Sequence, residues 1–295
     1  MHIENLRFFY EVAKAKSIST VAKSSHISQS ALSQQLLKLE DSLNTKLFIR
    51  SNKGVTLTTE GEIIYKHCKV ILNTYEKMLY EVESSNSQES HINIDGINIL
   101  TSTLIPYAVS KIKKSFPNHI IKITSSEDNS NNIIHNISDI NISYSNYNNI
   151  NSIVSKEIYS DRIVFVADST FKRDNLTIKN FMNTPFIMVN DNLKFKDMLE
   201  SKLENLDYDI QLLNILFTTD SYQSAIIGIK NIQAISAIPY GIYNSVYKDL
   251  GYKIIEIEDL EFPLSMYINF EEQLYKREKL FINKLISTIK GFLKS

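Results

Sequence analysis

A chain of 295 residues, of which 43% are hydrophobic and 22% are charged, has the length of two or three domains and the composition of an ordinary globular protein. The single cysteine, Cys68, excludes an intrachain disulfide and a zinc site built from cysteines. The sequence shows neither a signal-peptide pattern at its start nor an uncharged apolar stretch long enough to span a bilayer. We therefore expect a cytoplasmic protein that does not contact a membrane.

The net charge of −1 is distributed unevenly. Residues 1–58 contain eight Lys and Arg against four Asp and Glu, whereas the rest of the chain contains 24 against 29. A basic head on an acidic body is compatible with a head that binds nucleic acid, although an asymmetry this small also arises by chance.

Residues 1–58 predict a compact helical head. Apolar residues at helical spacing define a first helix, and a second short helix is expected to begin near Ser17 or Ser19. The inward-facing residues of these two helices are Leu6, Phe9, Tyr10, Ala13, Val21 and Ala22. A break at residues 25–27 precedes a third helix, an arrangement typical of a helix-turn-helix. Residues 49–58 follow as two short extended runs around an Asn-Lys-Gly tip, which predicts a hairpin, or wing.

The third helix, SQSALSQQLLKLE at residues 28–40, combines two patterns. Ser28 is a suitable N-cap. One face is apolar, with Leu32, Leu36, Leu39 and Leu43 at helical spacing. The first turn and a half of the other face presents Gln29, Ser30, Ser33 and Gln34. These side chains both donate and accept hydrogen bonds, which suits contacts with bases and phosphates in a major groove; a solvated helix face is the alternative.

A long helix is predicted after the wing, capped by Thr58 or Thr59 and running to about Val82. Six residues on it alternate in steps of four and three: Ile64, Cys68, Ile71, Tyr75, Met78 and Val82. This heptad seam predicts dimerisation through a coiled coil. We interpret Cys68 as a small core residue, with a redox-sensing thiol as the alternative. The polar residues 83–90 predict a hinge.

Residues 91–295 alternate between predicted strands and helices, which favours an α/β fold with largely parallel sheets. Strands are expected at residues 92–100, 120–124, 162–167, 186–189 and 233–238, and helices after the first strand, at 222–229 and at 271–293. Thr101, Ser102 and Thr103 directly follow the first strand and precede a helix. Hydroxyl and N–H groups at such a place can bind an anion, or the hydroxyls only cap the helix. Nine Asn within residues 128–151 weaken the signals for both helix and strand.

The head closely resembles the winged helix-turn-helix of LysR-type transcriptional regulators. The resemblance is carried by Leu6, Phe9, Ser17, Ser19, Ala22, Ser28, Gln29, Ala31, Ser33, Leu39, Glu40, Leu43, Leu47, Phe48, Arg50, Leu57, Thr58 and Gly61. Asn44 stands where the family has a glycine after the recognition helix, and Asn is the residue next most tolerant of a left-handed backbone. By this resemblance, the residues that approach DNA are Ser19, Thr20, Gln29, Ser30, Ser33, Gln34, Arg50 and Lys53. For Arg50, an ion pair with Glu40 or Asp41 is the alternative.

The body resembles the effector domain of the same regulators, which is similar to periplasmic solute-binding proteins and holds a ligand between two α/β lobes. The signal lies in residues 104–106, 116–117, 139–142, 161–166, 185–187 and 238–239. Transferred by position, the effector-facing residues are Thr101, Ser102, Thr103, Ser143, Thr218 and Thr219. The glycines usual before the 238–239 strand are absent, and we expect Asn231 to take the left-handed turn there.

The prediction is therefore a mixed fold with three parts. A winged helix-turn-helix, mainly α, occupies residues 1–58, and a dimerisation linker helix and hinge occupy residues 59–90. A two-lobed α/β effector domain occupies residues 91–295, with lobe I at about 91–161 and 267–295 and lobe II at about 162–266.

The predicted function is a sequence-specific transcriptional regulator, controlled by a small polar effector between the lobes, with no enzymatic activity, cofactor or metal. Its predicted partners are double-stranded DNA with an inverted-repeat site and further copies of itself, as a homodimer that we expect to assemble into a homotetramer. One alternative keeps DNA binding but makes the body a ligand-independent module for oligomerisation or partner binding. A solute-binding protein would leave the head unexplained, and enzyme motifs such as G-x-S-x-G, a P-loop or H-E-x-x-H do not occur.

Overall fold

The computed structural model describes residues 2–51, 54–84, 89–125, 129–135, 137–150, 152–190 and 195–294. These residues form two compact units, of which the first comprises residues 1–88 with the short segment 135–137 and the second comprises the rest. The first unit contains a three-helix head, its wing and one long helix. The second contains one large sheet and its helices.

The head consists of α1 (Ile3–Ala15), α2 (Ile18–Ser24), α3 (Gln29–Leu43), β1 (Phe48–Ser51) and β2 (Gly54–Leu57). Its caps are those predicted, because the Ser17 Oγ accepts a hydrogen bond from the Thr20 N–H and the Ser28 Oγ accepts one from the Ala31 N–H. Asn44 ends α3 with a left-handed φ of 50°, as expected. β1 and β2 pair antiparallel and form the predicted wing.

The core of the head explains the apolar face of α3. Leu32, Leu36 and Leu39 are fully buried, as is Phe9 of α1. The Phe9 ring packs against Phe48 of the wing, with 5.1 Å between the ring centroids. Burial of one face of α3 against α1 and α2 leaves its polar face outside the core.

The long helix, α4 (Thr59–Ser84), begins where it was predicted to begin. The Thr58 Oγ1 caps it by accepting a hydrogen bond from the Gly61 N–H at 2.9 Å. α1 packs along one side of α4, where Tyr10 stacks on Tyr65 and Arg7 pairs with Glu76 at 3.3 Å. That side of α4 is therefore covered by the chain's own head.

The second unit contains ten strands of one sheet in its described residues. They are β3 (Ser90–Gly96), β4 (His119–Ser125), β5 (Ile140–Ser143), β6 (Ile153–Asp168), β7 (Asn175–Leu176), β8 (Phe186–Val189), β9 (Ile215–Thr219), β10 (Ile235–Pro239), β11 (Tyr252–Ile257) and β12 (Phe262–Glu271). The helices are α5 (Ile105–Ile112), α6 (Asn129–Ile134), α7 (Ile178–Asn183), α8 (Phe195–Glu204), α9 (Tyr222–Gly228), α10 (Tyr240–Ile242) and α11 (Glu272–Lys294). One π-helical turn, Leu100–Leu104, leads into α5, and another, Tyr243–Tyr247, follows α10. Short 3-10 turns occur at Lys113–Ser115 and Ile210–Leu212.

The sheet has two parallel parts, joined by long antiparallel strands. In lobe I, β3 lies between β4 and β5 and runs parallel to both. In lobe II, β8 lies between β9 and β10 and runs parallel to both. β12 pairs antiparallel with β5 and β6, and β6 also pairs antiparallel with β10 and β11. The result is the two-lobed α/β architecture that the sequence predicts.

Two predicted strands have different ends in the structure. The first strand ends at Gly96 rather than at residue 100, and residues 98–104 are already helical. Ile97, just before that segment, and Ile99 and Leu100 within it are buried, and a short apolar run does not by itself distinguish a strand from a buried helix. The strand predicted at residues 162–167 begins earlier, at Ile153, because its first half pairs with β12.

The Asn-rich segment contains α6 and β5 in its described part. The buried Asn132 amide bonds inside the protein, where its Nδ2 donates to the Asp95 Oδ2 at 2.9 Å. Asn231, further along the chain, has a φ of 59°, which is the left-handed turn expected of it.

Candidate DNA interface and effector cleft

The N-terminal end of α3 presents polar side chains to solvent. Gln29, Ser30 and Gln34 are exposed and Ser33 is half-buried. The Ser28 and Ser30 hydroxyls lie 3.0 Å apart at the helix start, where the helix dipole favours phosphate oxygens. This end of α3 can therefore offer amide and hydroxyl groups to base edges and hydroxyls to phosphates.

α2 and the wing hold the other residues predicted to approach DNA. Ser19 and Thr20 are exposed on the first turn of α2, and the Thr20 hydroxyl donates to the Ser17 Oγ at 2.9 Å. Arg50 is exposed on β1. Lys53 lies outside the described residues.

Glu40 fixes α3 against the start of the wing. Its buried carboxylate accepts hydrogen bonds from the Leu47 N–H at 2.8 Å, the Phe48 N–H at 3.3 Å and the Lys46 ammonium group at 2.9 Å. Burial alone would raise the pKa of Glu40, but these three donors outweigh it and the pKa is lowered. Among the described residues Glu40 forms an ion pair with Lys46, and Arg50 forms none with Glu40 or Asp41, so the structure does not support the alternative pairing of Arg50.

Part of the predicted dimerisation seam is exposed on α4. Ile71, Met78 and Val82 are 41%, 49% and 64% exposed, and Ile63, which was not predicted, is 54% exposed. At 3.6 residues per turn these four side chains lie within about 100° of arc. We call them the exposed strip. Apolar side chains aligned in this way are those that a second helix covers in a coiled coil.

Cys68 does not belong to the exposed strip, and its placement in the dimerisation seam is wrong. Cys68 and Leu72 are buried in the core of the head, and Ile64 packs against the same core, while Tyr75 is half-buried. The cause is α1, which covers this side of α4. Burial also raises the pKa of the Cys68 thiol to about 11, so the reactive thiolate is scarce, as befits the small core residue that was expected.

Thr101, Ser102 and Thr103 lie in the π-helical turn before α5, beyond the strand end at which they were placed. Their hydroxyls donate to carbonyls of the preceding turn: Thr101 to Asn98 at 3.0 Å, Ser102 to Asn98 at 2.8 Å, and Thr103 to Ile99. A helix cap accepts a hydrogen bond from an N–H group instead, so the capping alternative is wrong. The outward lone pairs of these oxygens can still accept hydrogen bonds from a ligand.

Ser143 ends β5, the parallel neighbour of β3, and so belongs to the same carboxyl edge of lobe I. Its side chain is only 1% exposed. The Ser143 hydroxyl donates to the Asn141 Oδ1 at 2.9 Å and accepts from the Asn269 Nδ2 at 3.4 Å. The structure thus encloses Ser143 in an internal network and does not present it to solvent.

Thr218 and Thr219 end β9, at the carboxyl edge of lobe II. Thr218 is exposed, and the Thr219 Oγ1 accepts a hydrogen bond from the Ser221 N–H at 3.1 Å. The six predicted effector residues therefore all lie at or just beyond the carboxyl ends of parallel strands, which is where open α/β sheets bind ligands.

Asp161, which was not among the predicted site residues, links the two lobes. Its Oδ2 accepts a hydrogen bond from the Tyr144 hydroxyl at 2.9 Å, and its Oδ1 accepts from the N–H groups of Arg162 at 2.7 Å and Gly241 at 3.0 Å. Burial raises the pKa of Asp161, and burial also raises the pKa of Tyr144 well above its usual range. The Tyr144 phenol therefore remains protonated and donates. The sequence signal for Asp161 was only the run at residues 161–166, which resembles the family. Its donors Tyr144 and Gly241 are distant from it in the sequence, so no local pattern reveals them.

No helix in the described ranges is both long enough and apolar enough to cross a bilayer. The same part of the chain contains no group of three or more His, Cys, Asp or Glu side chains placed to hold a metal ion.

Two protein-family models match the chain. The model described as bacterial regulatory helix-turn-helix protein, lysR family, matches residues 3–62. The model described as LysR substrate binding domain matches residues 85–286, which is more than half of the chain.

Curated relatives of the chain are transcriptional regulators. The HTH-type transcriptional regulator BsdA of Bacillus subtilis (strain 168) is 34% identical over 128 residues, which are 43% of this chain and 44% of BsdA. The nitrogen assimilation regulatory protein nac of Escherichia coli (strain K12) is 32% identical over 124 residues, which are 41% of this chain and 40% of nac. The chain thus matches less than half the length of these two relatives. The regulator SoxR of Arthrobacter sp. (strain TE1826) is 24% identical over 202 residues, or 68% of each chain.

Solved structures share the fold over the whole chain. CbnR, a LysR family transcriptional regulator, superposes with a TM-score of 0.72 at 12% identity and full coverage of both chains. Full-length CbnR in complex with its target DNA gives a TM-score of 0.71 at 13% identity, covering 99% of each chain. At these identities the likeness concerns the fold alone.

Proposed function

The chain belongs to the LysR family of bacterial regulators, and from this premise we propose that it regulates transcription by binding DNA through α3 and a small molecule through its second unit. The observation that carries the proposal is the contrast between the two faces of α3. Leu32, Leu36 and Leu39 bury one face, while Gln29 and Ser30 leave the other polar and exposed at the helix start. A helix of this kind is suited to enter a major groove by its N-terminal end.

Each predicted DNA contact has its own chemistry in this proposal. The Gln29 amide can form two hydrogen bonds with an adenine edge, and the short Ser33 side chain allows a close approach to base or backbone. Ser19 and Thr20 would bind phosphates from α2. Arg50 and Lys53 would neutralise the DNA backbone, which makes binding weaken with added salt.

We propose that a second copy of the chain covers the exposed strip on α4. Two heads joined in this way would read two half-sites, so the DNA site would be an inverted repeat. Assembly of dimers into the expected homotetramer needs a further surface. β9 supports this step, because it is an edge strand that exposes Leu216 and Phe217, and the elements before and after it along the chain expose Leu212 and Ile227.

We propose that a small polar effector binds between the carboxyl edges of the two lobes. On the lobe I side it would meet the oxygens of residues 101–103, whose protons point into the protein. An effector that donates hydrogen bonds fits these oxygens as they stand, whereas one that accepts must first rotate the hydroxyls. Binding would re-set the arrangement of the lobes and, through it, the spacing of the two heads.

The second candidate is a DNA-binding regulator whose body acts without a ligand. The enclosure of Ser143 favours it, as do the inward hydrogen bonds of Thr101, Ser102 and Thr103. Thermal unfolding of the full-length protein with a panel of metabolites separates the two, since a ligand that binds only the folded state raises the melting temperature. A sensor should respond to at least one small polar compound, and a body without a ligand should respond to none.

The DNA-reading role is tested by Gln29→Ala and Ser33→Ala. We expect each to weaken binding to the specific site by roughly ten- to a hundredfold, since a good base contact contributes about 1–3 kcal/mol of discrimination. Ser42→Ala is the matched control, because Ser42 is exposed near the other end of α3 and should leave affinity unchanged. Loss of the dimer in the Gln29 or Ser33 variants would instead assign these residues a structural role.

We propose a cytoplasmic location because the target is chromosomal DNA. We also propose that the chain has no enzymatic activity, and this rests on its relatives being regulators.

A further inference from the structure

Asp161 occupies the point where β6 passes from one lobe to the other. β6 pairs with β12 from Ile153 to Ile163. From Ile163 onward, β6 pairs with β10 of lobe II. A side chain at this position can contact both lobes while its own backbone belongs to the strand that joins them.

Besides the N–H of its neighbour Arg162, this carboxylate accepts one hydrogen bond from each lobe outside β6. Tyr144 comes directly after β5 of lobe I, and its hydroxyl donates to the Oδ2 at 2.9 Å. Gly241 comes two residues after β10 of lobe II, and its N–H donates to the Oδ1 at 3.0 Å. Both donors therefore lie just beyond the carboxyl ends of their strands, the edges between which the proposed effector binds.

Gly241 approaches its neighbours closely, so a side chain here would force them to shift. A Cβ at this position would lie 3.1 Å from the Asp161 Oδ2 and 3.0 Å from the Tyr159 ring. The preceding residue is also held, because the Arg162 guanidinium lies over the Tyr240 ring at 5.1 Å from its centroid. The lobe II side of the contact is therefore fixed by packing as well as by a hydrogen bond.

Stability alone does not explain a carboxylate here. Burial raises the pKa of Asp161, which means that its ionised form is less favoured in the folded chain than in the unfolded chain. Buried ionised groups commonly contribute little net stability, even when they are well bonded. A role in geometry explains Asp161 better, because a single carboxylate can accept hydrogen bonds from donors of both lobes and so hold the lobes in place.

We infer that Asp161 is a positioning residue which, by accepting hydrogen bonds from Tyr144 of lobe I and Gly241 of lobe II, fixes the angle between the lobes. We call these three residues the interlobe tie. Loss of the Tyr144 hydrogen bond frees the lobes to reorient, and this is the motion that an effector in the cleft would control. Only this last step rests on the proposed function.

The tie is tested by hydrogen exchange on the full-length protein carrying Tyr144→Phe, which removes the lobe I donor and nothing else. The readout is the amide of Gly241 in lobe II, which Tyr144 does not touch. We expect this amide to exchange about fivefold faster, the effect of one net hydrogen bond on a local opening equilibrium. Tyr275→Phe is the matched control, because it removes a hydroxyl that bonds Asn283 within α11 and should leave the Gly241 amide unchanged. Asp161→Ala, which removes the acceptor for both lobes, should have at least the effect of Tyr144→Phe.

The regulatory step is tested by footprinting the same proteins, without added small molecules, on DNA upstream of the protein's own gene. Tyr144→Phe should move the boundaries of the protected region, and Tyr275→Phe should reproduce the wild-type pattern. Unchanged exchange at Gly241 in Tyr144→Phe would overturn the tie. Faster exchange with an unchanged footprint would overturn its regulatory role and leave a structural contact. A wild-type protein that protects no DNA would contradict the proposed function, while the exchange result would still decide on the tie.

Discussion

Two buried aspartates on β6 show how differently one residue type behaves within a single strand. Asp168 accepts hydrogen bonds from the Thr170 hydroxyl at 2.6 Å and the Thr170 N–H at 2.9 Å, and its other oxygen lies 3.4 Å from the Lys230 ammonium group. These bonds, with that of the Thr170 hydroxyl the largest cause, hold the pKa of Asp168 far below its usual range. The pKa of Asp161 is raised instead, because burial dominates there.

The two residues should therefore respond in opposite ways to neutralisation. At pH 7 we expect Asp168→Asn to lower the free energy of unfolding by about 1–3 kcal/mol, because donors lose their ionised acceptor. We expect Asp161→Asn to leave this free energy unchanged or slightly higher. A carboxyl whose pKa is higher in the folded chain than in the unfolded chain stabilises the fold only below its unfolded pKa, and this stabilisation is lost as pH rises. The Asp168 effect should shrink as pH falls below the ordinary value of 3.8, where the lowered pKa ceases to stabilise the folded state. Urea unfolding of both variants between pH 7 and pH values below 3.8 measures the free energy of unfolding. A larger decrease for Asp161→Asn than for Asp168→Asn at pH 7 would refute the opposite roles of the two carboxylates.

Local residue chemistry was predictable from the sequence, and long-range partners were not. The caps Ser17, Ser28 and Thr58 and the left-handed Asn44 and Asn231 depend on neighbours within a few residues, which the sequence displays. The bonds of Asp161 join residues 17 positions before it and 80 after it. No local pattern identifies such donors, since they meet only when both lobes have formed.

The helix α4 illustrates the same limit at the scale of an element. A heptad pattern shows which residues share a face, but it does not show whether the chain's own head or a second chain covers that face. Cys68 was assigned to a partner and is covered by α1 instead. Ile71, Met78 and Val82 remain on the exposed side, which keeps the dimerisation proposal for this part of the seam.

Dimerisation through the exposed strip is tested by Met78→Asp. A charge placed in an apolar helix contact should weaken the dimer at least tenfold, and sedimentation velocity over a range of concentrations measures the shift toward monomer. Lys69→Asp is the control. Lys69 lies nine residues before Met78 and therefore on the opposite side of α4, and its substitution changes the charge more than Met78→Asp does. Equal dissociation of both variants, or of neither, would show that this strip is not the interface.

The alternation of apolar runs and helices along the sequence predicts some strands of the sheet and misses others. Buried parallel strands such as β8 and β10 appear as short apolar runs between helices, so they were predicted close to their true positions. β6 was predicted only in its apolar second half. Its first half, with Ser155 and Lys156, is recognisable as a strand only from its pairing with β12, which follows about a hundred residues later.

In the whole molecule, the two units carry different proposed functions. The first holds the polar end of α3 and the exposed strip, and the second holds two lobes with their carboxyl edges and the interlobe tie. The division and the fold class follow from the sequence, because the helix-turn-helix, the heptad run and the strand-helix alternation are separate local signals. The inward hydrogen bonds of the hydroxyls at residues 101–103 do not follow from the sequence, because they depend on a helix that begins at residue 98.

We propose that two copies of α3, held together by α4, read one DNA site. Footprinting of the wild-type protein on DNA upstream of its own gene and its neighbours tests it most directly. We expect protection of an inverted repeat whose half-sites are centred about one helical turn, or a small multiple of it, apart. Protection of a single half-site, or of no sequence in preference to the rest of the fragment, would show that the chain does not read DNA in this way.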